Sequence, residues 1–141
     1  SGKLIQRNWI KHYYSDKIPT HGFSGVISRR MKEARKELYP LIQAESLKVF
    51  IYGAGLQTSI LLEIWEQASL PKIQGIIITE KKEKTDFNGY PIVSLESLPH
   101  TQVDLIVLSS KSFESEMASN LDENLPTVKR LSFWIKELTR L

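Results

Sequence analysis

Two glycines one residue apart, Gly53 and Gly55, break the segment Lys48-Val-Phe-Ile-Tyr-Gly-Ala-Gly-Leu-Gln-Thr-Ser59 where a β-branched and aromatic run gives way to a helical one. Gly53 allows a tight turn off a strand. Gly55 leaves no Cβ between the backbone and a phosphate resting on the positive end of the following helix. The chemistry that this pattern suits is anion binding by backbone N–H groups around Ala54, Gly55 and Leu56. Gln57 and Thr58, in the first helical turn, would donate to the phosphate or merely cap the helix. A complete G-x-G-x-x-G would carry glycine at position 58, and Thr58 stands there instead. A β-branched side chain then occupies the point where a dinucleotide fold brings its first helix close to the sheet, so the segment reads as Rossmann-like rather than as NAD-specific.

Two further groups belong to the same chemistry. Glu80 lies near the place where a carboxylate that binds ribose hydroxyls is expected after such a turn. It also opens a run of alternating charges, which is the habit of a solvated loop acid. Ser109, Ser110 and Lys111 follow a second apolar run and offer hydroxyls, N–H groups and a cation to a diphosphate. Helix capping accounts for Ser112 and competes for Ser110. No catalytic residue is assigned. Tyr13 and Lys17 have the spacing of a reductase pair but precede the glycine turn, and His12, His21 and His100 lack a second ligand at metal-binding spacing, so no metal site is expected. Neither G-x-x-x-x-G-K-[ST] nor G-x-S-x-G occurs.

The elements that must position these groups alternate strand and helix after Leu47. Strands are expected at Val49 to Tyr52, Gly75 to Thr79, Tyr90 to Val93, Val103 to Leu108 and Thr127 to Leu131. A helix over about Thr58 to Ala68 would bury Ile60, Leu61, Ile64 and Trp65, and another would carry Phe113, Met117 and Leu121 at intervals of four. Asn88-Gly89 makes a turn, and Ser132 caps a closing helix with Trp134, Ile135, Leu138 and Leu141. The fold class is α/β: a Rossmann-like, doubly wound parallel sheet of about five strands in the order 3-2-1-4-5, with its crevice where strands one and four diverge.

Residues 1–45 form an N-terminal helical extension to the domain at 46–141. They hold nine Lys/Arg against four Asp/Glu, whereas the rest of the chain holds ten against twelve, so the whole excess behind the net charge of +3 belongs to this segment. Helices are expected at about Leu4 to Tyr14 and Val26 to Ala44, the second ended or kinked by Pro40 near Tyr39. Its stripe of Ile27, Met31, Ala34, Leu38 and Leu41 packs on the sheet domain or on a sister chain as a homodimer, with Arg29, Arg30, Lys32, Arg35 and Lys36 turned to solvent. No nucleic-acid partner is expected, since no base-stacking module or zinc spacing accompanies the charge. With 141 residues, no cysteine and no apolar run near the roughly 20 residues of a membrane span, the chain reads as one cytoplasmic globular domain. Its Ser-Gly start reads as an excised domain or a tag scar, with a flanking catalytic domain beyond it.

About residues 48 to 134 the chain resembles the small Rossmann-like domains of bacterial surface-polysaccharide biosynthesis enzymes. It is similar to the N-terminal sugar-nucleotide-binding domain of amino-sugar and sialic-acid acetyltransferases, and to the CoA-binding-type domain of polysaccharide-biosynthesis dehydratases. The carriers are Tyr52-Gly-Ala-Gly55, Gly75-Ile-Ile-Ile-Thr-Glu80, Asn88-Gly-Tyr-Pro-Ile-Val93 with Ser-Leu-Glu-Ser-Leu98, and Val103-Asp-Leu-Ile-Val-Leu-Ser109. The chain departs from the family at Thr79-Glu80, where aspartate is frequent, and it lacks the β-helix that transfers acetyl groups. The resemblance implies a nucleotide or nucleotide-sugar binding module of a larger enzyme or complex, without catalysis of its own. The ligand class stays open among a nucleotide diphosphate, a UDP-sugar, CoA and NAD. Two alternatives remain: the NAD(P)-binding half of an oxidoreductase, and a ligand-free structural or dimerisation module.

Overall fold

A computed structural model describes residues 25, 29–30, 32–33, 36–37, 47–67, 70–79, 85–110 and 112–141. The stripe Ile27, Met31, Ala34, Leu38 and Leu41, the helix expected at Leu4 to Tyr14, and the candidates Glu80 and Lys111 all lie outside these residues.

The apolar runs Val49–Tyr52 and Leu105–Leu108 are buried at every position and form the two central parallel strands of one sheet, and less apolar segments pair in parallel outside them. The strands are β1 (Val49–Tyr52), β2 (Ile73–Ile78), β4 (Tyr90–Ser94), β5 (Leu105–Leu108) and β6 (Lys129–Ser132), with a sixth, β3 (Asp86–Phe87). The expected five strands in the order 3-2-1-4-5 are corrected to six in the order β3-β4-β2-β1-β5-β6. The added strand pairs antiparallel with β4, whereas β1, β2, β4, β5 and β6 pair in parallel. Asn88 at φ 48° and Gly89 at φ 90° form the hairpin turn between β3 and β4. Both central residues have positive φ, as the twist of a two-residue hairpin demands. Two residues are too few to show a period of two, so the sequence reads as a turn and a single strand.

Side chains alternate between the two faces. Val49, Ile51, Ile76, Leu105 and Val107 meet Ile60, Leu61, Ile64 and Trp65 of helix α1 (Leu56–Gln67) on one face. Phe50, Tyr52, Ile77, Ile106 and Leu108 meet Ala118 and Leu121 of helix α2 (Glu114–Asn124) on the other. All eight residues from Thr58 to Trp65 are buried, so α1 is covered all round rather than along one stripe. The indole of Trp65 donates to the carbonyl of Pro71 at 2.6 Å and fixes the end of α1 against the chain that enters β2.

The closing helix expected after Ser132 does not form. A single 3-10 turn at Lys136–Leu138 is followed by Arg140, whose backbone exchanges bonds of 2.8 and 2.9 Å with Arg130 in β6. The physical reason is Glu114, a fully buried residue at the start of α2. Its carboxylate accepts the N–H groups of Phe133, Trp134 and Ile135 at 3.1 to 3.3 Å, together with the hydroxyl of Ser132. Three consecutive donors held by one carboxylate shape the loop that leads out of β6.

The same loop corrects the expected solvated basic face. Arg30 is 6% exposed, and its guanidinium donates to the carbonyls of Ser132 at 2.8 Å and Phe133 at 3.2 Å. Glu37 accepts from it at 3.3 Å, and the guanidinium carbon stands 5.8 Å from the centre of the Phe133 ring. Arg29, Lys32 and Lys36 are exposed, as expected. No helix among the described residues is long and apolar enough to cross a membrane.

Candidate functional site

The glycine turn leaves β1 at the carboxyl end of the sheet, beside the end of β5. These two strands are neighbours while the chain leaves β1 toward β2, on its other side, so the crevice falls where the winding reverses. One cleft of about 370 Å³ opens there, and eight of the ten residues expected to bind a ligand line it: Gly53, Ala54, Gly55, Leu56, Gln57, Thr58, Ser109 and Ser110. Ser112, Phe113 and Met117 complete the wall.

Gly53 adopts φ +118°, a conformation that L side chains rarely take, and a Cβ on it would stand 3.0 Å from Ser109 Oγ. Its N–H donates to Ile77 in β2 at 3.0 Å, which turns the chain back across the strand ends. Gly55 differs. A Cβ there would meet nothing within 4 Å, so this glycine faces the open cleft.

Thr58, the break in the glycine fingerprint, is 2% exposed and ties the turn together. Its Oγ1 accepts the N–H of Gly55 at 3.2 Å and lies 3.0 Å from both the Gly53 carbonyl and Ser109 Oγ. Ser109 Oγ in turn lies 3.1 Å from the Tyr52 carbonyl. Two hydroxyl protons serve three contacts, namely the carbonyls of Gly53 and Tyr52 and the bond between the hydroxyls, so two of these bonds form at once. Gly55 precedes α1 as its N-cap, and Thr58, three residues on, reaches back to the N-cap N–H as one half of a capping box. The crowding expected from a β-branched residue is thereby a set of hydrogen bonds. The N–H of Gly55, expected to face a phosphate, is turned onto Thr58, and the first-turn N–H groups of Leu56 and Thr58 have no acceptor within the helix.

Electrostatically the cleft is neutral among the described residues, since none of its lining side chains is charged. An anion there would be held by the positive end of α1 and by the hydroxyls of Ser110 and Ser112. Its rim is apolar: Leu56 is 58% exposed and Phe113 56%. A helix was expected to carry Phe113, Met117 and Leu121 at intervals of four; of these Leu121 is buried, Met117 half-buried and Phe113 exposed. The helical spacing is met from Met117 onward, but α2 begins at Glu114, one residue too late to turn Phe113 inward. Ser112, expected as the cap, is displaced from that role by Phe113, which occupies the N-cap without a side-chain bond.

Behind the cleft, the Tyr52 hydroxyl is 2.7 Å from Thr79 Oγ1 and accepts from Asn120 at 3.2 Å, linking the ends of β1 and β2 to α2. Sequence reasoning missed this network because Asn120 is 68 residues from Tyr52. The buried carboxylate of Glu114, next to Phe113, holds the start of α2 against the 132–135 loop, and burial raises its pKa above the ordinary value while the hydrogen bonds of Ser132 and the loop oppose the rise. Among the described residues no three of His, Cys, Asp or Glu gather in a group that could hold a metal ion.

The yeast protein ynu0 (YNL200c), known from a crystal structure, is similar to this chain at 18% identity and a TM-score of 0.48. The likeness covers 96% of this chain and 69% of that one, and is too low to bear on ligand or activity. No curated protein matches the chain. A family model does: that of the C2185-like N-terminal domain matches residues 45–129, which run from just before β1 to the start of β6. With more than half of its length matched, the chain belongs to the C2185-like N-terminal domain family.

Proposed function

We propose that this chain is a nucleotide- or nucleotide-sugar-binding module that serves a larger enzyme or complex of surface-polysaccharide biosynthesis and performs no catalysis of its own. One observation carries the reading. The glycine turn, the first turn of α1 and the serines after β5 line a single cleft at the point where the sheet reverses its winding. A diphosphate at the N-terminus of α1 would face the dipole of a 12-residue helix, and Ser110 and Ser112 would donate from the opposite lip. The volume of about 370 Å³ lies within the roughly 300–1,000 Å³ of small-molecule sites. Thr58 at the third glycine position of the fingerprint counts against NAD.

Calorimetric titration of the chain with UDP, UDP-N-acetylglucosamine, CoA and NAD tests the proposal. Binding of a UDP ligand in preference to NAD is the expected result. Gly55→Val should abolish it with the melting temperature nearly unchanged, because the added side chain enters the open cleft and touches no protein atom at its Cβ. Absence of binding by all four ligands at millimolar concentration would overturn the reading, and unchanged affinity in Gly55→Val would move the site elsewhere.

A further inference from the structure

Helix α2 starts on a residue that gives up two stabilising options at once. The N-cap position favours Ser, Thr, Asp or Asn, whose side chains accept a first-turn N–H. Phe113 holds it at φ −124° and ψ 6° with no such bond, although serines stand at 109, 110 and 112. Its ring is also 56% exposed, while 25 hydrophobic residues among those described are buried. Three large hydrophobic residues are left exposed among the described residues, and two of them, Leu56 and Phe113, line the same cleft; the third is the terminal Leu141. A local rule broken twice at one position on the rim of a cleft is the pattern of a residue kept for binding.

None of the described residues that line the cleft is charged. What they offer a nucleotide beyond a helix end and hydroxyls is the apolar rim of Leu56 and Phe113, which suits its uncharged part. Resting on the nucleotide reading above, we propose that Phe113 is the platform on which the base of the bound nucleotide stacks, with its phosphates at the turn of Gly53 and Gly55 and Leu56 closing the opposite side. An exposed phenyl face offers a π surface to any base, which makes the contact tolerant of base identity. Glu114 is the positioning residue: three backbone N–H bonds and the Ser132 hydroxyl hold the residue next to the ring.

The test compares UDP with inorganic pyrophosphate on the full chain and on Phe113→Ala and Phe113→Trp, by calorimetry. Phe113→Ala should weaken UDP by about tenfold, equivalent to about 1.4 kcal/mol, and leave the pyrophosphate response as in the parent. Phe113→Trp should retain UDP affinity, and its added indole emission should fall on UDP addition but not on pyrophosphate addition. Parental UDP affinity in Phe113→Ala would overturn the stacking role and leave the nucleotide reading intact. Equal loss of both ligands would overturn it as well, by assigning Phe113 to the shape of the phosphate end. If the parent binds no UDP at all, both readings fall together.

Discussion

Replacing Thr58 asks whether a residue that spoils a phosphate-binding fingerprint is a defect or a support. In Thr58→Val the shape is kept and the hydroxyl is lost. The Gly55 N–H, on an exposed residue, can turn to water, so its share is about 0.5 kcal/mol; the carbonyl of the buried Gly53 loses a donor at a cost of about 1 to 1.5 kcal/mol. Ser109 keeps its bond to the Tyr52 carbonyl, so the sum is about 2 kcal/mol. Thr58→Ser, which retains the hydroxyl and loses one buried methyl, should cost about 1 kcal/mol. Thr58→Gly completes G-x-G-x-x-G yet removes hydroxyl and methyl together and places glycine inside α1, so it should cost about 3 kcal/mol. Urea unfolding followed by circular dichroism measures all three against the parent. A glycine variant as stable as the parent, or a valine variant within about 0.5 kcal/mol of it, would refute the reasoning and return Thr58 to the status of a tolerated substitution.

Two other outcomes follow from the same geometry. Gly53→Ala forces a side chain into φ +118° and onto Ser109 Oγ at 3.0 Å, so its stability should fall by about 2 kcal/mol or more, as read from the urea midpoint; a loss below 1 kcal/mol would mean that the turn relaxes freely. Asp122 is held below its ordinary pKa of 3.8, first by its hydrogen bond to the buried Arg130 and then by the charges of Arg130 and Arg140. A depressed acid stabilises the fold above its unfolded value and loses that contribution as pH falls through the folded one, so the parent should lose stability below about pH 4 more steeply than Asp122→Asn. Parallel pH profiles of the two melting temperatures would refute this.

The raised pKa of Glu114 acts in the opposite sense. Its contribution is complete below the ordinary value of 4.5 and is lost as pH rises through the folded value. The two acids therefore act on stability in opposite senses as pH changes, although they sit on one helix.

What the sequence determined by itself was whatever is carried by neighbours in the chain. The continuous apolar runs of β1 and β5 suit a sheet buried on both faces, and a glycine directly after the first run suits a sharp turn, so the central parallel strands and the place of the cleft were legible. The tertiary structure decided the rest, because the deciding partners are far apart along the chain. Thr58 meets Ser109 across 51 residues, and Arg30 is buried by carbonyls 102 and 103 residues away. Glu114 shapes the loop at 132–135, where the local pattern called for a helix. Phe113 has helical spacing with Met117 and Leu121, yet it precedes α2 as its N-cap and lies on the cleft rim. Periodicity reports which face of an element is apolar; where that element begins is set by hydrogen bonds that close only in the folded chain.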